Sequence, residues 1–374
     1  MSTTLNIAIF GIGNVGSTLL KQITSFNDRS DTNTNGIKIN VFAIANSSLI
    51  LFSDIAVSDT WNADFEADSD PYTLEDVFAF KNKLITKTIL DAKSSGSAAS
   101  EVQYIAVDVT ASPLFVNNYL SLIENGFHIV TANKIANTLS YEFYLELREA
   151  LDLHKKQFHY ETNVGAGLPI IETIKNLHQS GEEIRKIRGV FSGSLSYLFN
   201  TFSKEEKDFS EILLEADALG LTEPDAREDL SGKDVARKLL ILGREVGLIQ
   251  EFEDVKVQSL VPAELNGETT LPQFRESIKK LDAIFAKNKD ALGSDEVLRH
   301  VGELDMVTGQ LEVKLIQEPS STALGQIKGA DAVFEIYTDS YGDQPLVIQG
   351  AGAGKAVTAR GVLGDILKVA RSNH

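Results

Sequence analysis

The 374-residue chain contains no cysteine. Disulfides, thiolate metal ligands and a cysteine nucleophile are therefore excluded, and with them aldehyde oxidation through a covalent thioester. Positive charge is also in short supply: 35 Lys and Arg stand against 53 Asp and Glu, giving a net charge of −18. Nucleic acids and anionic membranes select basic faces, so neither is expected as a partner. The acids are spread along the chain and read as solubility. No apolar run approaches the ~18 residues of a membrane span. The opening residues Met-Ser-Thr-Thr-Leu-Asn carry no basic stretch ahead of an apolar core. A cytoplasmic protein is expected. The chain does have ordinary globular proportions, 43% hydrophobic and 24% charged residues. At ~100–200 residues per domain, two domains are expected.

The first apolar run, residues 7–10, reads as a strand. Gly11, Gly13 and Gly16 follow it in a G-x-G-x-x-G pattern, and residues 15–23 have helical spacing. In that context the first glycine allows the tight turn, the second lets a pyrophosphate approach the backbone, and the third lets helix and strand pack closely. The phosphates would rest on the helix N-terminus. Residues 37–45 read as a second strand that ends in Asn46-Ser47-Ser48, with no acid to hold an adenosine ribose. NAD and NADP both stay open. Strands at 102–109 and 128–131 end in Asp108-Val109-Thr110 and Ala132-Asn133-Lys134. Ligands of open α/β sheets sit at the carboxyl ends of strands. Thr110 and Lys134 therefore fall where nicotinamide or substrate would lie; the alternative for Lys134 is a solvated lysine at a helix start. Residues 50–100 read as a polar loop and helix region without nameable chemistry.

The densest charge lies in Leu221 to Lys238, LTEPDAREDLSGKDVARK. Its second half enters a helix. At 100° per residue, Val235, Leu239, Leu242 and Val246 cluster within about 60°, with Lys238 at the edge of that stripe. Asp234 and Lys238 stand at i and i+4 and share a face bordering the core. They can present an acid–base group and an anchoring charge to a small polar substrate, or they can form a plain surface ion pair. Ser231-Gly232-Lys233-Asp234 also reads as a capping box, with Asp234 as a first-turn carboxylate.

A second unit is expected to begin near Phe158, where residues 159–169, HYETNVGAGLP, run from a strand into a glycine-rich turn and a helix at 170–177. A strand at 186–191 leads into Ser192-Gly193-Ser194. Alternating stretches at 297–301, 310–316, 332–337 and 345–349 suggest an antiparallel sheet. A glycine-rich run ending at Gly354 precedes a last helix at 356–369. The expected architecture is α/β: a Rossmann-type dinucleotide-binding domain over 1–155 and 345–374, and an α+β domain with a mainly antiparallel sheet over 156–344, which binds substrate and dimerises.

Six motifs carry a resemblance over essentially the whole chain: GIGNVG (11–16), TANK (131–134), ETNVGAGLPII (161–171), FSGSLSYLFN (191–200), the acidic segment (221–238) and QGAGAGKAVTARGVLGD (349–365). Together they resemble homoserine dehydrogenases of the short, monofunctional fungal type. The resemblance implies reversible, NAD(P)-dependent interconversion of L-aspartate 4-semialdehyde and L-homoserine, in methionine, threonine and isoleucine biosynthesis, by a homodimer. It implies Lys238 as general acid/base, with Asp234 and Lys134 assisting and burial beside a cation such as Lys134 lowering its pKa. Glu223, Asp229, Asp234, Gly193 and Ser194 would hold the substrate. Gly11, Ile12, Gly13, Asn14, Val15, Gly16, Thr110, Lys134 and Gly354 would hold the coenzyme. Glu161, Val164, Ala166 and Leu168 would hold a monovalent cation, sodium in this family. The absence of cysteine agrees, since reducing an aldehyde to an alcohol needs no thiol. The pattern departs at Leu221, where fungal relatives often have tyrosine, and at Lys355 and Arg360, where they have small residues. Leu221 keeps open a related reductase of another small aldehyde or keto acid. A non-catalytic NAD(P)-binding sensor is the third reading, one that loss of Lys238 or Asp234 would have favoured.

Overall fold

The computed structural model describes residues 3–29, 36–53, 60–95, 101–266 and 269–371. The chain divides into two units, Met1–Asn137 with Glu142–Asn163 and Lys355–His374, and Thr138–Tyr141 with Val164–Gly354. No described helix is long and apolar enough to cross a membrane.

The first unit is built on a seven-stranded sheet. Its strands are β1 (Thr3–Phe10), β2 (Ile37–Ala45), β3 (Leu49–Phe52), β4 (Asp70–Pro71), β5 (Glu101–Asp108), β6 (His128–Thr131) and β7 (Phe158–His159), in the order β4-β3-β2-β1-β5-β6-β7. From β2 to β7 the pairings are parallel, whereas β3 and β4 add antiparallel at one edge. Leu5, Ile7, Ala8, Ile9 and Phe10 are almost wholly buried, as expected of a parallel strand covered on both faces. The helices Asn14–Asp28 and Lys355–Arg371 supply part of that cover through Leu19, Leu20 and Ile23 and through Val362, Leu363 and Ile366, all in one apolar cluster with β1. Gln22 Nε2 ties them together by donating to the Ala356 carbonyl at 3.0 Å.

The second unit holds a six-stranded sheet of β8 (Ile184–Val190), β9 (Lys256–Val257), β10 (Glu296–Asp305), β11 (Gln310–Pro319), β12 (Ala332–Thr338) and β13 (Leu346–Gly350), ordered β13-β12-β8-β10-β11-β9. All its pairings are antiparallel except the short β9–β11 ladder. The helix Lys233–Glu245 buries Val235, Leu239 and Leu242, the stripe expected from the period. Gly302 of β10 permits this packing. A Cβ there would lie 2.9 Å from the Phe191 ring and 3.2 Å from Val235.

Two boundaries fall elsewhere than the sequence reading put them. Phe158–His159 pairs with β6 in the first sheet, so the second unit takes up the chain at Val164 and not near 156. At the other end, 346–350 forms edge strand β13 of the second sheet, and the chain re-enters the first unit at Lys355 and not at 345. Both stretches are short apolar strands. Pairing partners far away in sequence decide where such strands belong.

Candidate active site

The first unit presents a loop shaped for a dinucleotide. Gly11 adopts φ +100, closed to most side chains, and a Cβ at Gly16 would come within 1.9 Å of the Gly11 carbonyl oxygen. Both glycines are thus required by the protein's own backbone. Gly13 differs, because a Cβ there would meet nothing within 4 Å. The open space lies at the N-terminus of the helix Asn14–Asp28, whose N-cap is Gly13 with no side-chain cap. Unsatisfied amides and a positive helix end face that space, and Ile12 and Val15 pack beneath it on the core. Asn46 does not reach outward. Its Oδ1 accepts from the amides of Ser48 and Leu49 at 2.8 Å each and closes the β2–β3 turn.

The loops after β5 and β6 are fastened by a buried network that sequence reading did not single out. Asp108 is 1% exposed. It accepts from the Thr110 amide at 2.8 Å, the Tyr119 hydroxyl at 2.7 Å and Asn133 Nδ2 at 3.1 Å. Burial raises the Asp108 carboxyl above its usual range, against the lowering effect of those donors. The Tyr119 hydroxyl also lies 2.9 Å from Thr131 Oγ1, and Asn133 Nδ2 donates to the Ser112 carbonyl. The network fixes Thr110 and the backbone entering half-buried Lys134, which the short 3₁₀ helix Ile135–Asn137 follows. Its one sequence signal was an acid ending an apolar strand.

The second unit gathers the residues of the acidic segment. Lys238 is 9% exposed. Its Nζ lies 2.7 Å from Asp234 Oδ2 and donates to the Phe191 carbonyl at 2.9 Å. Within this unit its ammonium is thus held by an anion and a carbonyl; Lys134, the expected neighbouring cation, belongs to the first unit. The capping box does not form. Gly232, at φ +72, is the N-cap and offers no side chain, while Ser231 donates to the Glu228 carbonyl. Half of the Asp234 side-chain surface stays exposed.

Asp229 is more central than its place in the sequence suggested. Its Oδ1 accepts from the Ser194 hydroxyl at 2.6 Å and its Oδ2 from the Glu223 amide at 2.8 Å. Burial raises its pKa above the ordinary value, and the nearby Asp234 charge raises it further while the two donors oppose the shift. Ser194 lies 2.9 Å from Ser192 Oγ, and Ser192 caps the helix Gly193–Phe202 by accepting from the Leu195 amide. Gly193 opens that helix; a Cβ on it would be 3.1 Å from the Ala330 carbonyl oxygen. Asp229 therefore joins the Ser192–Ser194 loop to the start of the acidic segment. Glu223 is exposed and enters the network through its backbone. The Thr222 hydroxyl beside it is buried without a hydrogen-bond partner among the described residues. Asp225 caps its own short helix, Ala226–Leu230, and pairs with Arg227.

The other expected residues fall as follows. Gly165 and Ala166 take successive positive φ values of +77 and +53, curling the turn that includes Val164 and Leu168. The Leu168 carbonyl already accepts the Ile170 amide at 2.9 Å. Glu161, in the first unit, is buried, with Lys368 Nζ 3.8 Å from its carboxylate and its amide bonded to Asp365. Among the described residues no group of three or more His, Cys, Asp or Glu is placed to hold a metal ion. Gly354, φ +116, ends the second unit, and Lys355 and Arg360 are exposed.

Residues 11–161 match the family model described as "Homoserine dehydrogenase, NAD binding domain", and 169–367 the one described as "Homoserine dehydrogenase". The chain is 38% identical to a chloroplastic bifunctional aspartokinase/homoserine dehydrogenase of Zea mays over 98% of its own length, but it spans only 38% of that protein. It is 35% identical to a homoserine dehydrogenase of Emericella nidulans, covering 99% of both chains. A crystal structure of a protein of unknown function from Candida auris superposes with a TM-score of 0.84 at 32% identity, covering 98% of each chain. With both family models in sequence order and full-length fungal relatives above the identity that fixes a family, the chain belongs to the homoserine dehydrogenase family.

Proposed function

We propose that the protein interconverts L-aspartate 4-semialdehyde and L-homoserine with NAD or NADP. The observation that carries this reading is the Asp234–Lys238 pair, a nearly buried ammonium held 2.7 Å from a half-exposed carboxylate. A reductase of an amino-acid aldehyde needs a proton donor for the oxygen and an anion for the substrate's ammonium. This pair supplies both.

The open space at Gly13 above a helix N-terminus suits a pyrophosphate, with Gly11, Ile12, Asn14, Val15, Gly16, Thr110, Lys134 and Gly354 as the proposed surroundings. When bound, the dinucleotide supplies or takes the hydride. The chain's own residues do the rest. Lys238 Nζ gives its proton to the oxygen of the reduced aldehyde carbon and retrieves one in the reverse direction. Asp234 holds the Lys238 ammonium in place at 2.7 Å and, with Glu223, receives the substrate's amino group. Asp229 holds Ser194 and the Glu223 backbone in place, which keeps Gly193 and Ser194 presented to the substrate. Val164 and Ala166 would offer carbonyl oxygens to sodium, as neutral oxygen donors suit a hard cation; Leu168 and Glu161 complete the proposed set. A homodimer in the cytoplasm completes the reading.

The test is reduction of NADP⁺ and of NAD⁺ by the purified protein with L-homoserine, beside L-serine and L-threonine. Homoserine-dependent reduction with little from the controls is expected. A folded protein that binds NADPH but does not oxidise homoserine contradicts the reading and favours another carbonyl substrate, with Leu221 the first residue to examine.

A further inference from the structure

Two lysines of the first unit line one pocket, in a chain whose net charge is −18. Lys81, on the helix Leu74–Ser95, is 9% exposed. Its ammonium donates to the Asn125 carbonyl and stands 5.2 Å from the ring centroids of both Tyr104 and Phe127. Lys156 is half-buried. Burial, and then the Lys156 charge, lower the Lys81 pKa; burial lowers that of Lys156. Neither ammonium has a carboxylate partner among the described residues. Both line a pocket of about 380 Å³ whose other walls include Ile85, Val102 and Gly126. Gly126 keeps the approach to Lys81 clear, since a Cβ there would lie 3.1 Å from its Nζ.

We propose that this pocket binds a small anion carrying an apolar arm, with a medium-chain carboxylate as the chemical class. Two desolvated cations that repel each other are relieved together by one bridging anion, and charge-assisted hydrogen bonds of that kind are the strong ones. Ile85 and Val102 give the arm an apolar wall. The pocket lies at the amino-terminal ends of β5 and β6. Thr110, proposed beside the coenzyme, lies past the carboxyl end of β5, which Asp108 closes four strand residues beyond Tyr104, or about 13 Å. The ligand is therefore not a competitor of the dinucleotide, and the proposal does not rest on the dehydrogenase reading.

The test is calorimetric titration of the full chain with hexanoate, with inorganic phosphate as the bare anion, each with and without saturating NADPH. Hexanoate is expected to bind, phosphate to bind far more weakly, and NADPH to leave hexanoate binding unchanged. Lys156→Gln should weaken hexanoate binding roughly tenfold or more, the effect of losing one hydrogen bond to a charged group. Ile85→Glu, on the helix surface, places a carboxylate against the pocket and should abolish binding; it serves if Lys156→Gln folds poorly. Failure of hexanoate to bind, equal binding of phosphate, displacement by NADPH, or undiminished binding in both variants overturns the proposal.

Discussion

Replacing Lys238 by methionine keeps the length of the side chain and removes its charge and proton. Two contacts are lost. The Phe191 carbonyl loses a buried donor at 2.9 Å, a loss of about 1–3 kcal/mol for an unsatisfied buried group. Asp234 loses a cation at 2.7 Å, but its side chain is 50% exposed, so water replaces most of that interaction. A total of about 1–3 kcal/mol leaves a protein of ordinary stability, about 5–15 kcal/mol, folded. The chemistry should suffer more. A positioned general acid contributes roughly 10²–10⁴-fold, or about 3–5 kcal/mol of barrier. The assay is kcat for homoserine oxidation beside NADPH binding by fluorescence and a urea unfolding curve. The expected pattern is a collapse of kcat with NADPH affinity retained and a modest loss of stability. Turnover unchanged removes Lys238 from the proton path, and a loss of NADPH affinity in step with turnover would reassign it to the coenzyme.

Other consequences are separable. Gly13→Val should abolish coenzyme binding without unfolding the protein, because a side chain there meets open space and not protein atoms; a variant that still binds NADPH would show that the pyrophosphate lies elsewhere. Asp229→Ala should lower kcat/KM for homoserine while NADPH affinity holds, since the Ser194 hydroxyl and Glu223 amide lose their shared acceptor; unaltered kinetics would make Asp229 purely structural. His300 is buried with both ring nitrogens unpartnered among the described residues, and burial pushes its pKa down to about 4. The unfolded chain, with an imidazole value of about 6.5, then binds a proton that the folded chain refuses. Stability from this source is complete above about 6.5 and is lost as pH falls toward about 4, by about 2 kcal/mol between pH 7 and pH 5. His300→Leu should flatten urea-derived stability over that interval by this amount, and an unchanged slope would place the pH dependence in other groups.

The sequence was most informative where local chemistry and tertiary role coincide. The strand–glycine–helix opening, the apolar stripe of Lys233–Glu245 and the antiparallel stretches each announce their burial through period or backbone demand, and each forms as read. Long-range pairing was hidden. Nothing local to Phe158–His159 or Leu346–Gly350 says which sheet completes them. The Asp108 network joins residues up to 25 positions apart, beyond the reach of any spacing rule. The helix Leu74–Ser95 lay in a region read only as polar loop and helix. Asp229 looked like one more acid in an acidic segment until Ser194, 35 residues earlier, donated to it. The expected cap at Ser231 failed because Gly232 lies close against Val257 and Val313, where a Cβ would sit at 3.1 and 3.3 Å, and takes the left-handed N-cap position itself.

The central claim is that Asp234 and Glu223 read the substrate's ammonium while Lys238 serves its oxygen. The measurement that bears on it most directly is NADPH-dependent reduction of aspartate 4-semialdehyde beside succinate semialdehyde, which has the same chain and carboxylate but no amino group. A preference of roughly 10²-fold or more in kcat/KM for the amino-acid aldehyde is predicted, because only that substrate brings an ammonium to the two carboxylates. Equal rates on the two aldehydes would contradict it.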